Sequence, residues 1–263
     1  MGDLLFTMTR GGMQKHIEAA HYATDKVLHS AHLEYYAQFF EPFLDKEIRL
    51  LELGVYKGGS LLLWRDYFHR GVIVGLDAKS VDLDDPTGRI RIYRGQQEDT
   101  RLLDLIARQT APEGFDIVID DCSHIGELAR VSFWHLFDHH LKPGGLYAIE
   151  DWGTGYWDSW PDGKSYVAPP PPAPSVASIR FHTLLARGVK RLLKRVAYAS
   201  ASNLGGTRFL SHDYGLVGFV KQLIDECGMG DITCPGLGLS PYRQSKFKQM
   251  HISHGLVIIV KAD

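Results

Sequence analysis

The stretch "FDIVIDDCSHIGELARVSFWHLFDHHLKPGGLYAIED" (Phe115–Asp151) contains the repeating unit that decides the fold. It begins with a short apolar run that ends in Asp120 and Asp121, and it closes with a second apolar run that ends in Glu150 and Asp151. Between the two runs, apolar residues recur at helical spacing, and "KPGG" is typical of a turn. Strands that alternate with helices form a mostly parallel sheet, so the stretch predicts an α/β fold.

The same alternation extends on both sides of this stretch. Ser60 is a natural N-cap for a helix predicted at residues 60–70, and Asp99 lies near the start of another predicted helix. The predicted fold class is therefore α/β, a Rossmann-like, doubly wound, mostly parallel sheet of about seven strands. Further strands are predicted at residues 48–55, 71–77, 89–95, 248–255 and 256–262, and further helices at 60–70, 99–109 and 213–227.

An N-terminal helical segment is predicted for residues 1–45, before the α/β domain of residues 46–263. The sequences "MQKHIEAAHYA" (13–23) and "HSAHLEYYAQFFEPFL" (29–44) both place apolar residues at helical spacing. Between them lies "TDK" (24–26), which is typical of a cap or a loop.

A helical and proline-rich insertion is predicted at about residues 153–206. It contains "WPDGKSYVAPPPPAPS" (160–175), which we expect to lack regular structure, and the basic run "RGVKRLLKR" (187–195). The insertion is interpreted either as a segment reaching over the site or into a partner subunit, or as a passive linker. The basic run is interpreted as a solvated helix face rather than as a surface for anionic partners.

Composition narrows the class of protein. The 263 residues carry a formal net charge of −2, which gives no reason to expect a nucleic-acid partner. The three cysteines lack CxxC spacing, which argues against a disulfide framework or a cysteine zinc site. Neither a signal-peptide core nor an apolar run of roughly 18 residues is present, so we expect a cytoplasmic protein without a membrane span.

A glycine-rich loop follows the first strand of the α/β domain. "LELGVYKGGS" (51–60) matches neither GxGxxG nor a Walker loop. Asp77 ends the next strand, where an acidic residue either caps the strand or accepts hydrogen bonds from the ribose of NAD or S-adenosylmethionine. Because Tyr56 and Lys57 fill the space between the glycines, the loop favours S-adenosylmethionine, which has no pyrophosphate. The cofactor-binding residues predicted here are Glu52, Gly54, Lys57, Gly58, Ser60 and Asp77.

The two acidic doublets follow neighbouring strands of the predicted sheet. Ligands of such sheets lie beyond the carboxyl ends of the strands, so Asp121, Glu150 and Asp151 are expected to converge there. These oxygen ligands suit Mg²⁺, with Mn²⁺ as a substitute, although strand-end caps or salt bridges remain the alternative. Asp120 points to the opposite face from Asp121, because side chains alternate along a strand.

Taken together, "LELGVYKGGS…GLD…DIVIDDCSH…LKPGGLYAIEDWGTGYW" resembles the class I S-adenosylmethionine-dependent methyltransferases, and most closely their magnesium-dependent sugar O-methyltransferases. The resemblance covers roughly residues 20–157. It implies that Asp121 binds the metal, and Asp120 is then free to face the amino-acid end of the cofactor or to orient a neighbour. It also implies a sugar or oligosaccharide acceptor and a homodimer or higher homo-oligomer. Cys122 stands where the family pattern has glycine.

His124 is predicted to be the general base, from its chemistry and from the resemblance. It lies three residues past Asp121 and near the start of a helix, where the macrodipole disfavours the imidazolium form. The other histidines, including His32, His135, His139 and His140, are interpreted as surface or packing residues. Gln97 and Asp99 follow the third strand, where folds of this kind often contact the adenine or the ribose.

The sequence leaves several functions open. A magnesium-dependent catechol-type O-methyltransferase has similar metal ligands, and an NAD-dependent Rossmann oxidoreductase would also place Asp77 on a ribose. A cofactor-binding module without catalysis is a non-enzymatic alternative. The aromatic residues that follow the second doublet either stack on a sugar acceptor or anchor the proline-rich segment, and they are Trp152, Tyr156, Trp157 and Trp160.

Overall fold

The computed structural model describes residues 5–10, 13–18, 22–28, 32–167 and 212–263. The chain divides into two compact units, Met1–Tyr166 with Asp213–Asp263, and Val167–His212. The second unit lies largely within the insertion predicted at about residues 153–206, whose bounds stay a prediction. The basic run at 187–195, and with it most of the predicted insertion, lies outside the described residues.

A seven-stranded sheet forms the centre of the first unit, which confirms the predicted fold class. Its strands are β3 (Arg49–Leu53), β4 (Val72–Asp77), β5 (Ile90–Arg94), β6 (Phe115–Asp120), β7 (Leu141–Glu150), β8 (Phe247–Ser253) and β9 (Leu256–Lys261). Their order in the sheet is β5-β4-β3-β6-β7-β9-β8. The five strands from β3 to β7 pair in parallel, whereas β9 pairs antiparallel with both β7 and β8.

Helices cover both faces of this sheet. Alternate strand residues pack to opposite sides, so Leu50 and Ile117 belong to one buried cluster and Leu51 and Val118 to the other. The near-continuous apolar strands of the sequence reflect this two-sided burial. The helices are α1 (Asp25–Leu28), α2 (His32–Phe40), α3 (Gly59–Tyr67), α4 (Thr100–Thr110), α5 (Gly126–His139), α6 (Pro161–Ser165), α7 (Gly215–Cys227) and α8 (Met229–Ile232). None of the helices in the described part of the chain is long and apolar enough to cross a membrane.

The helix predicted for residues 13–23 is wrong. Two strands, β1 (Leu5–Arg10) and β2 (Met13–Glu18), pair antiparallel instead, with Arg10 opposite Met13. The Gly-Gly pair between these strands in the sequence is a signal for a two-residue hairpin, and helical spacing alone overlooked it. The helix predicted for 29–44 is confirmed by α2 and by the 3₁₀ turn Glu41–Phe43 that follows it.

Two local predictions also need correction. "KPGG" lies inside β7, where it interrupts the register between Leu141 and Leu146 rather than separating a helix from a strand. The proline-rich segment, expected to lack regular structure, begins with the short helix α6, which has a proline in its first turn. Proline is well suited to that position, because its missing N–H has no partner in the first turn of a helix.

At Gly54, the loop after β3 passes very close to the loop after β6. Its φ is +85°, and a Cβ there would lie 2.0 Å from the carbonyl oxygen of Asp121. We predict that Gly54→Ala lowers the free energy of unfolding by at least about 2 kcal/mol more than Gly88→Ala. Gly88 is the matched control, because its φ is also positive (+67°) but no atom lies within 4 Å of the added Cβ. Urea denaturation measures both variants, and equal losses would contradict the close-approach argument.

Candidate functional site

Asp121, His124 and Asp151 converge beyond the carboxyl ends of β6 and β7. These strands are neighbours in the sheet, as the sequence predicted. The Nε2 atom of His124 lies 3.8 Å from Oδ1 of Asp121 and 3.9 Å from Oδ2 of Asp151. One ligand atom from each residue lies within 4.8 Å of the others, which is a spacing that can hold a metal ion.

The backbone at this site is unusual. Among the described residues, the non-glycine residues with positive φ are Tyr56 (52°), His124 (51°) and Asp151 (50°). His124 and Asp151 belong to the group that converges with Asp121, and Tyr56 lies on the glycine loop. Left-handed conformations of non-glycine residues are strained by roughly 1–3 kcal/mol each and cluster at functional sites. The strain therefore marks the same edge of the sheet as the acidic doublets do.

His124 is held with little freedom. Its side chain is 12% exposed, its carbonyl oxygen accepts a hydrogen bond from Oγ1 of Thr154, and its ring lies 5.7 Å from that of Trp160. Burial lowers the pKa of His124 below its usual value, although the charges of Asp151 and Glu150 act in the opposite direction. The neutral imidazole that results can accept a proton or bind a metal.

Lys26 is a site residue that the sequence did not reveal. Its side chain is 1% exposed, and its Nζ lies 2.5 Å from Oδ2 of Asp121, 3.1 Å from Oε1 of Glu150 and 3.4 Å from Oε1 of Glu52. Burial alone would lower the pKa of Lys26, but the charges of Asp121, Glu150 and Glu52 raise it well above its usual value. A single lysine in a short polar stretch carries no periodic or motif signal, so only the fold places it here.

The segment before α1 brings Lys26 over the sheet edge. The hydroxyl of Tyr22 donates to Oδ2 of Asp66 on α3 at 2.9 Å. The carbonyl of Ala23 passes so close to the start of α3 that a Cβ on Gly59 would lie 2.3 Å from it. This packing anchors the segment to α3. Lys26 follows three residues after Ala23, in α1.

Glu150 is linked to Asp121 through Lys26, and it also contacts two residues of α2. Its Oε1 accepts a hydrogen bond from Tyr36 at 2.7 Å, and its Oε2 lies 3.3 Å from Nδ1 of His32. Burial would raise the pKa of Glu150, but the charge of Lys26 and the contact with His32 hold it at about 2. His32, interpreted from sequence as a packing residue, thus orients a carboxylate. Among the described residues, the group spaced to hold a metal ion contains Asp121 and Asp151 without Glu150, whose role as a ligand stays a prediction.

Glu52 and Ser60, both predicted to contact the cofactor, contact each other. Ser60 donates to Oε2 of Glu52 at 2.7 Å, and both side chains are buried. The N-cap of α3 is Gly58, so the prediction that Ser60 caps this helix is wrong. Burial raises the pKa of Glu52 above its usual value. The contact of these two residues with a cofactor stays a prediction.

Asp120 and Gln97 form a second buried network on the opposite face of β6. Nε2 of Gln97 lies 3.3 Å from both carboxylate oxygens of Asp120, and Ser132 donates to Oδ2 at 3.3 Å. Burial raises the pKa of Asp120 to about 7. Asp120 and Asp121 therefore point to opposite faces, as predicted, and the cofactor contacts predicted for Asp120 and Gln97 stay predictions. Gln97 also accepts from the N–H of Ser123 at 3.1 Å, so it positions the loop that carries His124.

Asp99 and its neighbour Glu98 differ in how their carboxylates are engaged. Asp99 is the N-cap of α4 and accepts from the N–H groups of Arg101 and Leu102, so its carboxylate is engaged by the helix. Glu98 was not predicted. Its Oε2 is buried, and among the described residues no hydrogen-bond partner reaches it. A buried carboxylate oxygen without a partner is costly, which makes Glu98 a candidate for contact with a bound group.

Asp77 fixes the shape of the glycine loop. Its Oδ2 accepts from the N–H groups of Val55 and Tyr56, both at 2.9 Å, and its Oδ1 accepts from Lys79 at 2.8 Å. Burial would raise the pKa of Asp77, but these backbone hydrogen bonds hold it below its usual value. The strand-end cap and the ribose contact are compatible, because each carboxylate oxygen accepts more than one hydrogen bond. Lys57 is exposed on this loop, whereas Gly58 is buried.

The segment after β7 packs against the His124 loop. Nε1 of Trp160 donates to the carbonyl of Ser123 at 3.1 Å. The buried Asp162 accepts from the N–H groups of Gly126 and Leu216 and so joins the first turns of α5 and α7. Trp152 likewise donates to the carbonyl of Ser253, which leaves Trp157, 53% exposed, as the most open tryptophan of the segment. Both anchoring and exposed aromatic residues are therefore present.

Sequence comparison finds sugar O-methyltransferases. The chain is 47% identical over 130 residues to mycinamicin VI 2''-O-methyltransferase of Micromonospora griseorubida, covering 47% of this chain and 32% of that protein. It is 43% identical over 130 residues to demethylmacrocin O-methyltransferase of Streptomyces fradiae, again covering 47% of this chain and 32% of that protein. No family model matches the chain. The chain thus spans about a third of the length of the curated relatives that it matches.

Structural comparison extends the likeness to nearly the whole chain. The structure of the MycE methyltransferase of the mycinamycin pathway, in complex with Mg and SAH, matches with a TM-score of 0.64 and 29% identity. That match covers 93% of this chain and 53% of the MycE chain. The fold is therefore that of the class I S-adenosylmethionine-dependent methyltransferases. The chain is similar in sequence to macrolide-sugar O-methyltransferases over about half of its length, which confirms the resemblance seen in the sequence.

We predict that Lys26→Met destabilises the protein by about 3–5 kcal/mol, because it leaves three carboxylates without their shared buried cation. The matched control is Lys248→Met. Lys248 pairs with Asp263 at the surface, at 3.4 Å, and loss of such a pair costs less than about 1 kcal/mol. Urea denaturation compares the two variants with the parent protein. Losses of similar size would show that the buried ammonium does not stabilise the site.

Proposed function

We propose that the protein is an S-adenosylmethionine-dependent O-methyltransferase that methylates a hydroxyl of a sugar or glycoside with the help of Mg²⁺. The observation that carries this proposal is the convergence of His124 with Asp121 and Asp151 beside the glycine loop. The curated relatives are named for methylation of sugar hydroxyls on macrolides and on rhamnosyl tetracenomycin. Because the chain spans only part of their length, the activity and acceptor remain proposals.

The residues fit a magnesium ion. Mg²⁺ is usually held by one or two carboxylates and keeps several waters. Asp121 and Asp151 supply the two carboxylates, and the Asp151 side chain is 43% exposed, so water has access. When bound, the ion would stabilise the negative charge that develops on the acceptor oxygen. Glu150 then orients Lys26 and the end of β7, although a direct ligand role for it stays a prediction.

His124 serves as the general base in this proposal. Its Nε2 would take the proton of the acceptor hydroxyl while the oxygen attacks the methyl carbon of S-adenosylmethionine, whose methyl–sulfur bond breaks to release S-adenosylhomocysteine. Asp121 and Asp151 lie 3.8 and 3.9 Å from Nε2 and place negative charge near the imidazolium that forms. Lys26 occupies the far oxygen of Asp121, so the oxygen that faces His124 remains available.

The residues proposed to contact the cofactor are fewer than those predicted from the sequence. Asp77 accepts from the ribose hydroxyls, and Gly54 and Gly58 shape the loop around the cofactor. Glu98 supplies a buried acceptor for the adenosine part, which its unpartnered Oε2 supports. Lys57 stays a candidate contact because it is exposed on the same loop. A cytoplasmic location and a homodimer or higher homo-oligomer also remain proposals.

The activity is tested with methyl-labelled S-adenosylmethionine and a panel of macrolide glycosides, rhamnosides and catechols, each with Mg²⁺ and with EDTA. We predict label on a glycoside and its loss in EDTA. Label on catechols alone would move the acceptor to the catechol class. Label that persists in EDTA would contradict the metal assistance, and absence of label with every acceptor class would contradict the proposed activity.

We predict that His124→Asn lowers kcat at least about 100-fold and leaves cofactor affinity within about twofold. Asparagine tolerates the positive φ of His124 but cannot act as a base. His69→Ala is the control, because His69 is an exposed histidine at the end of α3. Turnover comes from the label assay and affinity from isothermal titration calorimetry. A His124→Asn variant with normal kcat would refute the base assignment.

A further inference from the structure

Three side chains converge on the outer face of α4 and α5, away from the site described above. Asp104 lies on α4, His135 on α5, and His140 is the C-cap of α5. The carbonyl of His140 accepts a hydrogen bond from Phe115, the first residue of β6. The Asp121 and His124 loop follows the other end of β6, so the two clusters lie at opposite edges of the sheet.

Both imidazoles are directed at one carboxylate oxygen. Nε2 of His135 lies 2.8 Å from Oδ1 of Asp104, and Nε2 of His140 lies 2.7 Å from the same atom. One ligand atom of each residue lies within 4.8 Å of the other two. The histidine side chains are 18% exposed and that of Asp104 is 37% exposed, so the cluster is ordered by packing yet open to solvent.

The end of α5 explains why the two histidines can act together. Residues five apart on a continuous helix do not share a face. At His140, however, the helix has ended, with φ at −129° and ψ at −5°, and its side chain turns back towards α4. The rings of His135 and His140 then lie 5.3 Å apart. His139, one turn after His135, has its ring 5.4 Å from that of His135.

The donor set suits a transition-metal ion. Zn²⁺ binds imidazole nitrogen and carboxylate oxygen at about 2.0–2.2 Å in tetrahedral geometry, which places ligand atoms about 3.4 Å apart. The nitrogen-to-oxygen distances of 2.8 and 2.7 Å therefore need to open by less than about 1 Å. Binding through Nε2 of a neutral imidazole requires only that its hydrogen be carried on Nδ1. Water or His139 completes the coordination.

We propose that Asp104, His135 and His140 form a second metal site, which binds Zn²⁺ or a similar transition-metal ion and joins α4 to the end of α5. The site takes no part in methyl transfer, because it lies at the opposite edge of the sheet. Its effect is on stability: an ion that binds only the folded state raises the unfolding temperature, and the stabilisation grows with the logarithm of one plus the ratio of the free ion concentration to Kd. No sequence pattern indicated this site, because Asp104 lies on a different helix from the two histidines.

The test uses the full chain without a histidine tag, stripped with EDTA, dialysed to remove the chelator and kept in excess Mg²⁺. Co²⁺ and then Zn²⁺ are titrated, with visible absorption of Co²⁺, calorimetric stoichiometry and the thermal unfolding temperature as readouts. We predict one ion per chain with a low-symmetry Co²⁺ spectrum that Zn²⁺ abolishes, and a rise in Tm. The double variant His135→Gln/His140→Gln should lose at least about tenfold in affinity and the rise in Tm.

Two controls make the result decisive. His69→Ala removes an exposed histidine elsewhere, and Asp151→Asn weakens the other candidate metal group; both should keep the Co²⁺ spectrum. Circular dichroism without metal verifies that the double variant is folded, since glutamine retains hydrogen-bond donors for Asp104. A double variant that keeps the spectrum and the Tm rise would overturn the proposal. Failure of the parent protein to bind Co²⁺ or Zn²⁺ below about 100 µM, a free energy of roughly −5.5 kcal/mol, would also overturn it.

Discussion

The contact of the Lys26 ammonium with three carboxylates is the interaction on which the candidate site depends. Glu52, Asp121 and Glu150 come from the ends of β3, β6 and β7, which are adjacent in the sheet. Carboxylates brought this close in a buried setting repel one another, so burial and this repulsion raise the pKa of Asp121 and of Glu52, while the charge of Lys26 acts in the opposite direction. One buried cation offsets that repulsion and fixes the spacing of the three strand ends. The parallel sheet makes such a device necessary, because it gathers strand ends at one edge.

Occupation of one side of Asp121 by Lys26 determines what the other side can do. Oδ2 of Asp121 is held by Lys26, while Oδ1 faces His124. Asp121 therefore links the buried ion pair with Lys26 to the imidazole of His124. Three other side chains fix the backbone of this site through hydrogen bonds to N–H groups. Gln97 holds the His124 loop, Asp162 joins the first turns of two helices, and Asp77 shapes the glycine loop. The positive φ angles of His124 and Asp151 persist because these hydrogen bonds fix the backbone around them.

The sequence was a good guide to the strands and to the residues that lie directly after them. Apolar runs that are buried on both faces are visible without a structure, and the strand order places Asp121 beside Asp151 as the doublets suggested. It was a poorer guide to side-chain direction. Ser60 and Gln97 were predicted to contact a cofactor, and Asp120 to contact a cofactor or orient a neighbour; the structure shows each of them buried and hydrogen-bonded within the chain, and their cofactor contacts stay predictions. Position along a motif says that a residue is near a site, whereas its rotamer and its neighbours decide whether it reaches the ligand.

The sequence by itself determined the α/β class, the seven-stranded sheet and the edge at which the chemistry lies, because these follow from periodicity and from the ends of strands. Only the tertiary structure decided that Lys26 and His32 reach Glu150, and that Asp104 meets His135 and His140. These contacts join residues on different elements, 118 positions apart for His32 and Glu150. No local pattern records such a pair, since the distance between two elements is set by the packing of the whole core and not by the residues that happen to meet.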